Sequence, residues 1–245
     1  MDSNETEDSN IENKLEQIKT LESLLHLKVP NPAPLGLFSF GLTTALFQMK
    51  HSRLAGVERS DMHSAEKFAW GFAIFYGGLL QFVAGLGEIR RNNVFEYTAF
   101  LSYGGFWLSY GTSEILINVF SADTSDVNPR AEQAMFILMG IFTLVLWICT
   151  FNINITVCVL MFSLMATFFL LAVGKTFVIV DYIAGCMGIF TSAVAYWLGT
   201  VELVNDIYGG DREIIPLGQF KKRNFTHFFP PAQTQRISRE TLLAT

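Results

Sequence analysis

The sequence predicts an all-α, polytopic membrane protein with six transmembrane helices. Of its 245 residues, 51% are hydrophobic and only 16% are charged, whereas water-soluble domains carry about a quarter charged residues. The charges collect in the first 30 residues, in the loops and in the last 40 residues. The apolar runs between them are too long and too continuous for the alternating strands of a membrane barrel, so helices are expected.

Each apolar run approaches the ~20 residues that a helix needs to cross the hydrocarbon core of a bilayer. Pro32 and Pro34 precede the first run and suit the first turn of a helix. The backbone N–H groups of a first turn have no acceptor within the helix, so the N–H that proline lacks costs no hydrogen bond there. The fourth and fifth runs are separated only by a short polar hairpin, FNIN. In chain order the six predicted spans are residues 35–49, 68–86, 97–118, 134–151, 155–173 and 179–201.

The spans divide the chain into three segments. Residues 1–30 are acidic and carry a helical repeat of apolar residues around 11–28, which predicts a cytoplasmic segment that is partly helical or disordered. Residues 31–205 form the six-helix transmembrane domain, and residues 206–245 form a cytoplasmic tail. With six spans both termini share one side, which carries eleven of the 17 lysines and arginines. The positive-inside rule therefore places both termini in the cytoplasm.

Polar side chains inside a membrane are costly, and each is a candidate functional residue. Span one places Phe40, Thr44 and Gln48 at steps of four, hence on one helix face. Gln81 in span two and Ser102 in span three also lie among small residues. We therefore predict that Thr44, Gln81 and Ser102 line a polar path through the helices.

Glu88 ends the second span and has two interpretations. A carboxylate in a low dielectric tends to bind a proton or to find a cation or donor. It is either a proton-linked carboxylate of the path or a structural group paired with Arg90 or Arg91. The sequence leaves both interpretations open.

Two large aromatic residues, Phe40 and Tyr103, stand on otherwise small and polar faces. Hydrophobic constrictions close a passage by expelling water, although ordinary helix packing explains the same residues. Small residues at steps of four are typical of close helix contacts. The small residues predicted to serve such packing are Gly77, Gly85, Ala184, Gly188 and Ser192.

The chain lacks the motifs of enzymes. All four histidines lie outside the spans, and the three cysteines lie inside apolar runs at spacings that fit neither a disulfide nor a metal site. No GxSxG, P-loop or dinucleotide-binding glycine pattern occurs. We therefore expect no catalytic residue, no metal and no cofactor. A net charge of −5 without a basic face argues against nucleic acid as a partner.

Three stretches resemble one known family. NPAPLGL followed by FGLTT resembles the signature of the AceTr family of acetate and succinate–acetate permeases, which includes bacterial permeases and fungal acetate and ammonia-export transporters. The stretch IFYGGLLQFVAGLGEIRRNNVFEYTAFLSYGGFWLS is similar to the second and third helices of that family, and VELVNDIYGGDREIIPLG is similar to its ending. The resemblance covers roughly residues 31–218. The long acidic head and the extended tail look more like the eukaryotic members.

The resemblance implies six helices per protomer and a homohexamer, with a separate pathway in each protomer. It implies transport of acetate and other small monocarboxylates, sometimes succinate, with protons. It also implies that residues 31–205 are the transport domain. The family's central narrowing matches Phe40 in FSFG, Tyr103 in LSYGG and Leu164 in MFSLMA, which makes these three residues the expected gate.

These observations predict a multi-pass permease of the plasma membrane that is either proton-coupled or channel-like. Asn31 is the expected entrance ligand, because its side-chain amide can donate a hydrogen bond to the carboxylate of the cargo at an entrance that has no fixed positive charge. Weak attraction of this kind suits transport, since a tightly held anion would not leave. Two alternatives stay open: an ammonium or ammonia exporter, and a sensor that binds small acids without moving them.

Overall fold

The structure is a computed structural model that describes residues 13–17, 30–53, 62–120, 129–209 and 212–220. Within these ranges the regular structure is helical, as the sequence predicts, and no strand occurs. Residues 13–17 form a single helical turn. The rest of the predicted amphipathic helix around 11–28 and the tail beyond residue 220 lie outside the described residues.

Six long helices form the bundle, and each contains one of the predicted apolar runs. Helix α2 is continuous but changes its winding from α to π and back, over Met62–Phe72, Ala73–Leu80 and Gln81–Arg90. Helices α3 and α6 end in π-helical turns, Leu116–Phe120 and Asn205–Gly209. The other bounds are α1 Ala33–Ser52, α3 Val94–Ile115, α4 Pro129–Cys149, α5 Ile155–Gly174 and α6 Val178–Val204.

Local chemistry explains where several of these helices begin. Asn93 caps α3 by accepting a hydrogen bond from the Glu96 backbone N–H at 3.2 Å, and Asn154 caps α5 by accepting one from Val157 at 2.8 Å. Asparagine is favoured at this position because its side-chain oxygen satisfies an N–H that the helix leaves unpaired. The predicted FNIN hairpin is a 3₁₀ turn followed by the Asn154 cap.

Four helical segments of the described chain are long and apolar enough to cross a membrane: Lys67–Arg90, Arg130–Asn152, Ile155–Gly174 and Val178–Gly209. Helices α1 and α3 are not among them. Both carry many glycines, serines and threonines, and most of the polar residues of α1 are buried inside the bundle. These buried polar residues lower the mean hydropathy of α1, although the helix is as long as its neighbour α5.

The helices form a ring in the order α3, α2, α1, α6, α5, α4. Helices α1, α3 and α5 run in the same direction, so the bundle has two distinct ends. The proximal end, at the start of these three helices, carries Asn31, Arg91, Asn154 and Glu202. The distal end, where they finish, carries His51, Lys175 and Asp181.

The segment after α6 folds back onto the proximal end. The Leu217 and Gly218 carbonyls accept hydrogen bonds from the backbone N–H groups of Thr156 at 3.3 Å and Ile155 at 2.8 Å, which satisfies the start of α5. The Asn205 side chain accepts hydrogen bonds from the backbone N–H groups of Ile214 and Ile215. The turn requires Gly218, whose φ is +77°.

Candidate functional site

Two cavities lie end to end inside the helix ring. The proximal cavity has a volume of about 280 Å³, and its polar rim includes Glu96, Asn154 and Glu202. The distal cavity is far smaller, about 20 Å³, which is room for about one water molecule. The two cavities share no lining residue.

A wall of three side chains separates the cavities. The deep end of the proximal cavity is lined by Leu37 of α1, Phe100 of α3 and Met161 of α5. Three residues further along the same helices, the distal cavity is lined by Phe40, Tyr103 and Leu164. Three residues correspond to about 4.5 Å of helix rise, so the wall is less than one turn thick on every helix that contributes to it.

The wall is apolar on the side of the passage and well packed. The Phe40, Tyr103 and Leu164 side chains are all buried, and the Phe40 and Tyr103 ring centroids lie 5.9 Å apart at 46°. This separation lies in the range typical of attractive aromatic pairs. The structure thus places together the three residues that the family resemblance assigns to the gate, on three different helices.

The Tyr103 hydroxyl does not face the passage as a free polar group. It lies 2.9 Å from Thr143 Oγ1 on α4, and the Thr143 hydroxyl in turn donates to the Met139 carbonyl at 2.7 Å. Because the Thr143 proton is already committed, the Tyr103 hydroxyl is the donor of the pair. The passage therefore meets the tyrosine ring rather than its hydroxyl group.

Polar atoms without partners surround the distal cavity. Thr44 Oγ1, Gln48 Oε1 and Trp107 Nε1 are buried and make no hydrogen bond within the described part of the chain, and all three side chains line the cavity. Buried polar atoms are nearly always paired with protein or with water. In this structure the three atoms are covered by neighbouring side chains, so they can bind water or a small polar solute only when those side chains move apart.

The sequence prediction found only part of this lining. Thr44 lines the distal cavity, and so does Gln48, which the sequence places on the same face of α1. Trp107 was missed; its signal is the spacing of four residues from Tyr103, which puts both on one face of α3. The predicted lining residues Gln81, which is buried, and Ser102, which is half-buried, lie outside the lining of both cavities.

A charged network closes the proximal end of the bundle around Arg91. Its guanidinium Nη1 donates to Glu88 Oε1 at 3.1 Å and Oε2 at 3.3 Å and to Asn31 Oδ1 at 2.5 Å. The Asn31 amide donates to Glu202 Oε2 at 3.0 Å, and Glu96 Oε2 lies 3.9 Å from Arg91 Nη1. Two carboxylates, Glu88 and Glu96, therefore lie near one guanidinium, and Asn31 links the third, Glu202, to it.

This network shows the surroundings of Glu88, for which the sequence leaves two interpretations open. Its side chain is fully buried and pairs with Arg91, while Arg90 is exposed, so Glu88 joins α2 to the turn that follows it. Asn31 ties the start of α1 to α2 and α6. It does not line either cavity, but its partner Glu202 lines the proximal one.

The five predicted packing residues lie at helix contacts. A Cβ added at Gly77 would stand 2.6 Å from Thr43 of α1, and one added at Gly85 would stand 2.8 Å from Leu101 of α3. Along α6, Ala184 is fully buried, Gly188 leaves room for Gln48, and Ser192 Oγ donates to the Gly41 carbonyl at 2.6 Å. Among the residues that the structure describes, no three histidines, cysteines or carboxylates are grouped so that they could hold a metal ion.

The relationship to known proteins agrees with this geometry. Residues 16–208 match the GPR1/FUN34/yaaH family, whose members include the AceTr permeases. The chain belongs to the GPR1/FUN34/yaaH family. Its sequence is 34% identical over 199 residues to the succinate-acetate/proton symporter SatP of Escherichia coli K12, covering 78% of this chain and 97% of that protein.

A solved structure and a yeast protein add to the family relationship. The structure of the bacterial acetate channel SatP superposes with a TM-score of 0.69 at 32% identity, covering 78% of this chain and all of that one. Ammonia transport outward protein 2 of Saccharomyces cerevisiae is 35% identical over 178 residues, covering 69% of this chain and 60% of the yeast protein. The family is one of membrane transporters and channels, so this chain is a membrane transport protein and not an enzyme.

Proposed function

We propose that this chain is a permease for acetate and other small monocarboxylates, with one pathway in each protomer that passes the wall of Phe40, Tyr103 and Leu164. The observation that carries the proposal is the pair of cavities that meet end to end at this wall. A solute that enters the proximal cavity has one apolar layer to cross. The SatP relatives, named as an acetate channel and as a succinate-acetate/proton symporter, support the choice of cargo.

The apolar wall favours a cargo that can lose its charge. A carboxylate anion pays a large desolvation cost in such a place, whereas the neutral acid does not. Beyond the wall, the distal cavity of about 20 Å³ is too small for acetic acid, so the side chains around it have to move apart as the acid passes. Thr44, Gln48 and Trp107 would then offer hydrogen bonds without a fixed charge, which hold the acid weakly enough for it to leave. Gln81 and Ser102 lie outside both cavities and would reach the cargo only if α2 or α3 moved.

The assembly and its place in the cell belong to the same proposal. Six crossings of the plasma membrane, with both termini in the cytoplasm, make the proximal cavity the cytoplasmic vestibule. A homohexamer buries part of the apolar surface that the single protomer exposes, including Phe75, Leu138 and Ile179. The expected oligomer has six times the 27.5 kDa mass of the chain.

One observation favours a second candidate, the export of ammonium. Glu96 and Glu202 line the proximal cavity, and with Glu88 they outnumber the one guanidinium among them. An acidic vestibule concentrates cations and repels anions. A yeast relative is named for outward transport of ammonia.

The decisive experiment measures labelled acetate uptake by proteoliposomes, with protein-free liposomes as the background for acetic acid that crosses the lipid unaided. We expect saturable uptake that competing propionate reduces. Phe40→Ala should raise the rate several-fold and admit larger monocarboxylates, because it removes a ring from the wall. Phe190→Ala, at a half-exposed position on α6, is the matched control and should leave the rate unchanged.

Two outcomes contradict the proposal. Uptake by the wild-type protein at the background rate would exclude an acetate permease. Uptake of labelled methylammonium in place of acetate would favour the ammonium exporter instead.

A further inference from the structure

A hydrogen-bonded pair of a histidine and an aspartate lies at the distal end of the bundle, outside the lining of either cavity. His51 in the last turn of α1 places Nδ1 2.7 Å from Asp181 Oδ1 in the first turn of α6. The imidazole is 6% exposed and the carboxylate 28%. The pair therefore has one member inside the protein and one that reaches water.

The second nitrogen of the imidazole is unused. His51 Nε2 is buried and has no hydrogen-bond partner among the described residues. When Nδ1–H donates to the Asp181 carboxylate, Nε2 carries a lone pair that can accept a proton. The carboxylate then balances the imidazolium charge, which a buried cation requires.

The pair lies next to the distal cavity. The His51 ring centroid is 5.2 Å from that of Phe47, and both Phe47 and Gln48 line the cavity. Helix α6 presses against the same turn of α1, since a Cβ at Gly185 would overlap the backbone of His51 and Ser52. The imidazole thus lies within one helical turn of Gln48, one of the polar residues that line the distal cavity.

Two lysines among the described residues also act on the imidazole. Lys50 on its own helix lies over the Phe47 ring, 5.2 Å from the centroid. Lys175 lies in the loop before α6 and pairs with Glu132 of α4 at 2.5 Å. Burial lowers the pKa of His51, and the ammonium groups of Lys50 and Lys175 lower it further, whereas Asp181 raises it through its hydrogen bond and its charge. Among these groups, Asp181 is therefore the one that favours the protonated imidazole.

We propose that the His51–Asp181 pair is the proton-binding site at the distal mouth, where it supplies the proton that neutralises the carboxylate cargo. This inference rests on the proposed function. Nε2 takes a proton from the distal solution and forms an imidazolium paired with Asp181. The imidazolium gives that proton to a carboxylate oxygen of the cargo, and an N–H bond breaks as an O–H bond forms. The neutral acid then crosses the wall, and the imidazole is free to accept the next proton.

The test compares pH profiles of labelled acetate uptake in proteoliposomes between about pH 5 and 8, the range in which histidine changes charge. Wild-type uptake above the liposome background should fall as the pH rises. His51→Gln should lose this dependence and transport several-fold more slowly at low pH. Asp181→Asn should move the profile to lower pH, because the imidazolium loses the carboxylate that stabilises it.

A matched control removes a carboxylate from the same end without touching the pair. Glu132→Gln breaks the ion pair with Lys175 and should keep the wild-type profile or move it slightly. A His51→Gln protein with the wild-type profile would overturn the inference. If His51→Gln does not yield folded protein, Asp181→Asn with its histidine intact decides, and an unmoved profile overturns the inference.

A second measurement separates this inference from the proposed function. In protein with ¹⁵N-labelled histidine, the resonance that His51→Gln removes should titrate within the same pH range and shift in Asp181→Asn. Acetate uptake without titration of His51 would overturn the proton site and leave the permease standing. Titration of His51 without uptake would overturn the permease and leave a proton-binding pair.

Discussion

At the scale of single residues, the wall depends on how Tyr103 is held. Its hydroxyl donates to Thr143, whose own proton goes to the Met139 carbonyl. Removing one hydroxyl of this pair therefore costs a different amount of stability from removing the other. Tyr103→Phe loses one hydrogen bond worth about 1 kcal/mol, while Thr143→Val leaves a buried hydroxyl without an acceptor, at a cost of about 1–3 kcal/mol.

We predict that Thr143→Val unfolds more readily than Tyr103→Phe and that the double variant is more stable than Thr143→Val alone. Replacing both partners by apolar groups removes the orphaned hydroxyl together with the bond. Thermal unfolding of the four proteins in one detergent measures the order. A double variant that is less stable than either single variant would show that the hydroxyl has another acceptor.

The residue scale also marks where sequence reasoning stopped. Phe40 and Tyr103 stand out because each is a large ring on a face of small and polar residues. Leu164 does not stand out, because α5 is apolar around its whole circumference, and only the family resemblance identified it. The Asn31–Glu202 contact joins residues 171 positions apart, and no local pattern encodes such a pairing.

At the scale of helices, the close approach of α2 to α1 depends on Gly77. The Thr43 side chain fills the space in which a Cβ at Gly77 would lie, 2.6 Å from its nearest atoms. Gly71, six residues earlier on the same helix, is exposed and has nothing within 4 Å of its Cβ position. The same change, glycine to alanine, can therefore be tested at a position in close helix contact and at one with free space around it.

We predict that Gly77→Ala destabilises the protein by about 1–3 kcal/mol, the usual cost of overpacking a filled contact. Gly71→Ala should be neutral or stabilising by up to about 1 kcal/mol, because alanine is the better helix former. Thermal unfolding and the yield of monodisperse protein measure both variants. An equal loss of stability in Gly77→Ala and Gly71→Ala would mean that Gly77 serves the π-helical winding of α2 rather than the contact with Thr43.

The helices themselves were the most predictable part of the molecule. Each predicted apolar run lies inside one observed helix, except that the last two residues of run 134–151 lie in the 3₁₀ turn after Cys149. A continuous run of about 20 apolar residues has few other stable forms in a bilayer. The π-helical stretch Ala73–Leu80 was not predicted, because its residues satisfy the α pattern equally well. The return of residues 214–218 onto α5 was also not predicted, because it depends on backbone carbonyls that any sequence provides.

At the scale of the whole molecule, α1 and α3 run beside four helices that qualify as membrane spans. Twenty residues of α-helix extend about 30 Å, the thickness of the hydrocarbon core. The two ends of α1 reach opposite ends of the bundle, since Asn31 contacts Glu202 at one end and His51 contacts Asp181 at the other. We therefore expect a helix with this length and position to cross the same layer as its neighbours, although its polar side chains face inward.

We predict from this geometry that all six helices cross the membrane. In a protein with its three cysteines replaced, Arg53→Cys after α1 and Lys175→Cys after α5 should react with a membrane-impermeant maleimide from one side only. Asn92→Cys, between α2 and α3, should react only from the opposite side, which the positive-inside rule makes the cytoplasm. If α1 and α3 did not cross, Arg53→Cys and Lys175→Cys would not share a side that excludes Asn92→Cys. Labelling intact cells and inside-out vesicles in parallel separates the two arrangements.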